Sequence, residues 1–386
     1  MLRILHLITT MPVGGAENLV LTTMRHLDPT RFSSVLCCIQ DKGILGNEAE
    51  NSGFQVVALD RMKRKHFDFQ AITDIVEVIR REQADVIHCH LYHAALYGRL
   101  AAKRAGVPCV VTAHNVYSNP KWHRRLINRW LGRYTARIIG VSQPVGDDVL
   151  RYDRIAPEKL LVIPNGIDLA PMLQMLDHET AKKRLGLPAC APVIGCVGRL
   201  EPQKGHRFLL EALAMLRKQR GDCPHLVIVG TGSALGSIRR QIESLSLEDR
   251  VHLLGTRRDI PEILAALDLF VLPSLWEGLP LALLEAMAAG VPVMASAVGG
   301  VGDVLDNGRY GGLLPPGNGS ALCDAMTDWL DHPEKRRALG ELGKMRAHQD
   351  YSARSMVGRL EEIYEALRAS RKRDSNRSAG IGWLNR

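Results

Sequence analysis

Short β-branched runs alternate with segments of helical period along the chain, and no other feature constrains the fold as tightly. Strands buried on both faces read as continuous apolar runs, and parallel neighbours need a helical crossover between them. The pattern therefore implies parallel sheets covered by helices on both sides. The runs fall into two sets. The first predicts strands at Arg3 to Ile8, Ser34 to Ile39, Gln55 to Leu59, Asp85 to His88, Cys109 to Thr112, Ile138 to Val141 and Leu161 to Ile163. A polar stretch follows Pro164-Asn165-Gly166, and the pattern restarts at Pro192-Val193-Ile194-Gly195-Cys196-Val197-Gly198. Further strands are expected at Leu226 to Val229, Val251 to Leu254, Leu269 to Leu272, Val291 to Ala295 and Gly312 to Leu314. The expected fold is α/β, with two doubly wound parallel-sheet domains facing each other across a cleft. On this reading residues 1–164 form the first domain, 165–190 a linker and 191–351 the second domain. Residues 352–368 form a helix free to cross back to the first domain, and 369–386 a basic tail without fixed structure.

A length of 386 residues suits two domains with a core each and excludes a small disulfide scaffold. Apolar residues at 46% and charged residues at 24% exclude global disorder. The eight cysteines include no C-x-x-C pair and read as reduced and buried. The opening Met1-Leu2-Arg3-Ile4-Leu5-His6-Leu7-Ile8 is too short for a signal peptide and reads as a strand. The apolar stretch Leu279 to Ala295 holds Glu285, Gly290 and two prolines, which suits no membrane span. A cytoplasmic location is expected.

The net charge of +9 is uneven. Val86 to Gly146 holds no acidic residue but carries Arg99, Lys103, Arg104, Lys121, Arg124, Arg125, Arg129, Arg133 and Arg137, so this region should attract anions. Within it, Trp122, Leu126, Arg129, Trp130 and Arg133 recur at helical spacing. That pattern suits a basic amphipathic helix on an anionic bilayer surface, and equally a solvated basic helix whose aromatic residues pack inward. No nucleic-acid-binding motif accompanies the charge, so nucleic acid is not an expected partner.

Ligands of open α/β sheets sit beyond the carboxyl ends of the strands. After the first strand, Pro12-Val13-Gly14-Gly15-Ala16 places a glycine pair at a helix start, where bare N–H groups can meet a phosphate or simply form a turn. Gly198-Arg199-Leu200-Glu201-Pro202-Gln203-Lys204-Gly205 sets two fixed cations after the strand that opens the second domain, in the manner of a diphosphate clamp. In Pro273-Ser274-Leu275-Trp276-Glu277-Gly278-Leu279-Pro280 no side chain stands ready to cap the helix that follows, so an outside anion can do so. Glu285, among Leu284, Ala286 and Met287, needs a partner or a ligand, and a sugar or ribose diol is a suitable one. Val229-Gly230-Thr231-Gly232-Ser233-Ala234-Leu235-Gly236 departs from a dinucleotide fingerprint by a late third glycine. The histidines show no metal-ligand spacing and no D-x-D pair is present, so no metal and no other cofactor is expected.

Glu277 and Glu285 together resemble the E-x7-E signature of the retaining glycosyltransferases of family GT4, which have the GT-B fold of two Rossmann-like domains. The resemblance extends over nearly the whole chain to about residue 368. It implies that Gly14 and Gly15 approach the diphosphate of a nucleoside-diphosphate sugar, that Arg199 and Lys204 bind it, and that Glu285 holds the ribose. Glu277 would contact the transferred sugar beside the backbone of Gly278, Leu279 and Pro280. His114, in Thr112-Ala113-His114-Asn115, matches the family's histidine at the sugar-binding centre, and Arg257 lies where the base is often held. The implied activity is retaining transfer to a hydroxyl acceptor, such as a lipid-linked glycan, in polysaccharide, lipopolysaccharide or glycolipid synthesis at the inner membrane face. Two alternatives stand beside it: a sugar-nucleotide epimerase of the same fold, and a non-catalytic protein that binds anionic lipid.

Overall fold

A computed structural model describes residues 1–63, 67–117 and 122–381. The chain divides into two compact units, Met1–Gly166 with the segment from Ala353 onward, and Ile167–Ser352. In the first unit β1 (Leu2–Ile8), β2 (Phe32–Cys38), β3 (Gln55–Ala58), β4 (Val86–His90), β5 (Cys109–Ala113), β6 (Arg137–Gly140) and β7 (Leu160–Val162) form one parallel sheet in the order β3-β2-β1-β4-β5-β6-β7. The crossovers contain α1 (Gly15–His26), α2 (Gly43–Asn51), α3 (Phe69–Arg81), α4 (Tyr92–Ala105), α5 (Trp122–Leu131) and α6 (Gln143–Asp148). Side chains alternate across the sheet as strand geometry requires. Leu5, Leu7, Val35 and Cys37 pack with α3 and α4, whereas Ile8, Leu36 and Cys38 pack with α1 and α2.

The second unit begins with α7 (His178–Arg184), inside the stretch expected to be a linker. That expectation is corrected: Ala181 of α7 packs on Ala265 and Ala266, and the buried Lys182 ammonium bonds Ala191 O at 2.9 Å and Asp268 Oδ2 at 3.0 Å. These contacts join residues far apart in sequence, which local periodicity does not register. The sheet uses β8 (Val193–Val197), β9 (His225–Val229), β10 (Val251–Gly255), β11 (Leu269–Leu272), β12 (Val293–Ser296) and β13 (Gly312–Leu314) in the order β10-β9-β8-β11-β12-β13, again all parallel. Its helices are α8 (His206–Arg220), α9 (Leu235–Ser244), α10 (Ile260–Ala265), α11 (Leu281–Ala288), α12 (Val301–Leu305), α13 (Gly319–Asp331) and α14 (Pro333–Asp350).

The chain then returns to the first unit as α15 (Ala353–Ile381). Met356, Val357, Leu360, Ile363 and Tyr364 form its buried stripe at helical spacing. Glu361 Oε1 accepts from Asp28 N at 2.8 Å, and Tyr364 Oη lies 2.6 Å from His88 Nδ1. The helix runs past Arg368 through residues expected to be a tail; once a packed helix is nucleated, extending it costs little. Residues 382–386 lie outside the described residues. The cysteines are unpaired and all but Cys190 are buried; Cys190 is exposed, contrary to expectation, in the turn before β8. No helix among the described residues is long and apolar enough to cross a membrane.

Both sheets reverse their order of winding once, at β1/β4 and at β8/β11. The loops leaving adjacent strands diverge there, which opens the crevice where α/β proteins bind ligands.

Candidate functional site

In the second unit the loops after β8 and β11 flank the reversal and are fastened to each other. Leu275 N donates to Gln203 O at 2.7 Å, and Gln203 Nε2 donates to Trp276 O at 2.7 Å. Gly205 has φ +65°, and a Cβ there would stand 2.0 Å from Pro273 O, so only glycine lets the loops close up. Lys204 Nζ meets Glu277 Oε1 at 2.6 Å, and Ser274 Oγ donates to the same oxygen at 2.6 Å. Glu277 and Ser274 are buried. Both bonds converge on Oε1 and neither uses Oε2. A third loop supports them: Gly300 N donates to Gly278 O at 2.8 Å, and Gly299, at φ +51°, comes so close to Glu277 that a Cβ would stand 1.9 Å from its carbonyl oxygen.

The helix after this loop, α11, has no side-chain cap. Pro280 stands just ahead of it in extended conformation rather than inside its first turn, and the N-terminal N–H groups face the end of the Glu277 loop. Within α11, burial pushes the acid of Glu285 up to about 7, against the opposing pull of Arg258. Arg257, expected near the base, forks onto Asp259, with Nε to Oδ1 at 2.8 Å and a second contact from the other arm. Arg199 is exposed after β8; the neighbouring Glu201 acid is lowered chiefly by hydrogen bonds from Ser233, with Arg199 adding to it. The Gly230-Thr231-Gly232 run packs on the Arg199 loop, with Leu200 N donating to Thr231 O at 2.9 Å. Lys204, Glu277 and Gly278 are thus brought together, whereas Arg257 is turned into an ion pair of its own. Ser274, Gln203 and Gly299 escape sequence reasoning. The first lies three residues before Glu277, a local signal, but the others act through backbone contacts that only the fold creates.

In the first unit, Gly14 caps α1 in extended conformation, and nothing lies within 4 Å of a Cβ placed on Gly15. The unit's own packing does not demand glycine at position 15. His114 follows β5; burial lowers its ring to about 4, so it stays neutral near pH 7, and its Nε2 has no partner among the described residues. Histidine spacing suggested no clustering, and here the fold corrects it. His6 and His88 are register partners on β1 and β4, His90 lies two residues on along the same face, and the three offer ring nitrogens within 4.8 Å of one another. Burial lowers all three, His6 to about 3. Hydrogen bonds already occupy much of this cluster. His6 Nδ1 lies 3.4 Å from His90 Nε2, while His88 has Tyr364 Oη at 2.6 Å on Nδ1 and Thr112 Oγ1 at 2.7 Å on Nε2. His90 lies 5.7 Å from His114, ring to ring.

The basic helix of the first unit is α5. Trp122, Leu126 and Trp130 are 72%, 56% and 45% exposed, so the aromatic residues face outward rather than inward. Lys121 lies outside the described residues.

Two family models match end to end: Glycosyltransferase Family 4 over residues 13–171 and Glycosyl transferases group 1 over residues 177–346. A UDP-Gal:alpha-D-GlcNAc-diphosphoundecaprenol alpha-1,3-galactosyltransferase of Escherichia coli is 29% identical, over 94% of this chain and 95% of that one. A 2-deoxystreptamine glucosyltransferase of Streptomyces kanamyceticus is 32% identical, over 77% of this chain and 81% of that one. Among solved structures, Anabaena Alr3699/HepE in complex with UDP-glucose superposes with a TM-score of 0.83 at 25% identity, covering 95% of this chain and 100% of that one. With its two reversed parallel sheets and these matches, the chain belongs to the group 1, family 4 glycosyltransferases, and it is a GT-B enzyme of glycosyl transfer.

Proposed function

We propose that the enzyme transfers a hexosyl group, with retention of configuration, from a uridine-diphosphate sugar to a hydroxyl of a lipid-linked glycan. The observation that carries this reading is the Lys204–Glu277 pair, a buried carboxylate with a partly buried ammonium, at the reversal point of the second sheet. Lys204 keeps N–H donors for a phosphate oxygen, and Glu277 keeps Oε2 to accept from a sugar hydroxyl, so one preorganised pair addresses both sides of the bond to be broken. The bond between the anomeric carbon and the diphosphate oxygen breaks with its electron pair on the diphosphate. Arg199, Lys204 and the open start of α11 then stabilise the growing negative charge. The acceptor oxygen attacks the same face, and the departing phosphate takes its proton. Glu285 accepts from the ribose, Gly14 and Gly15 leave room at the diphosphate, and neutral His114 hydrogen-bonds the sugar. Fixed cations supply the charge, so the reaction is proposed to need no metal ion. Uridine as the base and a lipid-linked acceptor are supported by the relatives, UDP-Gal and a diphosphoundecaprenol-linked sugar being the substrates named for the Escherichia coli enzyme and UDP-glucose the ligand of the Anabaena protein.

Arg199→Ala is expected to lower turnover on the order of 10²-fold, as loss of one preorganised donor does, with activity unaffected by EDTA. Turnover within a few-fold of the parent would reject the clamp. A second element of the proposal, peripheral association with an anionic membrane, is favoured by the outward Trp122, Leu126 and Trp130 of the basic helix α5.

A further inference from the structure

Helix α5 buries only Asn128 and Leu131 of its residues, while Trp122, Leu126 and Trp130 face outward. The Asn128 amide bridges two buried charges: Oδ1 accepts from Arg99 Nη1 at 3.1 Å, and Nδ2 donates to Asp153 Oδ2 at 3.0 Å. Arg99 and Asp153 are each 3% exposed, so neither charge has water to fall back on and the amide serves both. The same Asp153 Oδ2 accepts from Tyr117 Oη at 2.7 Å, and Tyr117 N donates to Asp148 Oδ2 at 2.7 Å. Tyr117 is three residues past His114 on the segment that leaves β5. One buried carboxylate therefore grips the segment carrying His114 and the helix carrying the exposed Trp residues.

We infer that Asp153 is a positioning residue for His114, acting through the Tyr117 hydroxyl, and that Asn128 joins α5 to the same anchor. The catalytic side of this inference rests on the proposed role of His114 at the sugar. The carboxylate does not touch substrate; it fixes where the imidazole stands. A group so placed matters because small displacements of a positioned side chain cost rate without costing fold.

The test compares the parent with Tyr117→Phe, which removes only the hydroxyl, and with Asp153→Leu, in full-length protein carrying ¹³C-labelled histidine. The His114 signal is identified by its loss in His114→Gln. In Tyr117→Phe that signal is expected to shift while the protein stays folded, its melting temperature lowered by a few degrees for the lost hydrogen bond to the buried carboxylate. Hydrolysis of UDP-galactose without acceptor should slow on the order of tenfold at unchanged donor KM, since the proposed donor-binding groups of the second unit are untouched. Asp153→Leu should behave alike, and if it does not fold, Tyr117→Phe decides alone. An unmoved His114 signal with parental kcat in Tyr117→Phe overturns the inference. If the signal moves but His114→Gln hydrolyses the donor at the parental rate, the positioning stands and the role of His114 in transfer fails.

Discussion

Glu285 sits in an apolar turn of α11 with an acid raised to about 7, so it is close to half protonated at neutral pH. A ribose diol donating two hydrogen bonds would favour the ionised form and draw that acid back toward its ordinary 4.5. UDP binding near pH 6.5 is then expected to release a fraction of a proton. Calorimetry in two buffers of different ionisation enthalpy would register it, and Glu285→Gln should abolish it; equal heats in both buffers for the parent would sink the ribose assignment. The same raised acid favours the fold most below pH 4.5, and that contribution disappears as pH rises through about 7. At this scale the sequence was legible where a side chain carries its own chemical argument. Lys204, Glu277 and Glu285 announce themselves as charges in loops or apolar helices. Gly299 does not, because its requirement is set by the carbonyl of Glu277, brought to it from another loop.

Helix α5 shows why an element can be legible and its orientation not. The spacing of Trp122, Leu126 and Trp130 defines a helical face, but which face turns inward is decided by Asn128 reaching Arg99 of α4 and Asp153 beyond α6. Those partners lie about one crossover away in sequence, outside any local window. Replacing Trp122 and Trp130 together with alanine should cost no more than about 0.5 kcal/mol at the largely exposed Trp122 and about 1 kcal/mol at Trp130, which gives up its edge contact with Tyr134, seen as a melting temperature lowered by a few degrees. Co-sedimentation with phosphatidylglycerol vesicles at low salt should nevertheless fall sharply. Retention of full binding by the double variant would end the role of α5 in docking. The strands were the most legible elements, since burial on both faces fixes their composition. The first strand after α4 illustrates it: Cys109-Val110-Val111 is buried throughout β5.

The first unit is built from both ends of the chain, with α15 closing a core begun by β1. Removing everything after Ser352 should leave a calorimetric transition for the second unit and abolish that of the first, because Met356, Val357, Leu360, Ile363 and Tyr364 each contribute roughly 1.5–3 kcal/mol of burial. Survival of both transitions would show that the helix is dispensable. Acid sensitivity falls more heavily on the first unit, although burial also lowers His206, His225 and His252 in the second. His6, His88, His90 and His114 are held neutral below their ordinary value of 6.5, so the unfolded chain binds more protons as pH falls below it. The melting temperature of the first unit should therefore drop more steeply from pH 7 to 5 than that of the second. Parallel acid shifts of the two transitions would contradict this. The two-sheet plan was legible along the chain; the return of α15 was open, because contacts between residues far apart in sequence, such as Tyr364 with His88 and Glu361 with Asp28, decide where that helix docks. This order of assembly has a consequence for biogenesis. As the ribosome feeds out the polypeptide, the first unit must wait for α15, which follows the whole of the second unit, so nascent chains stalled before α15 will expose an unfinished, chaperone-dependent surface while the second unit is already complete.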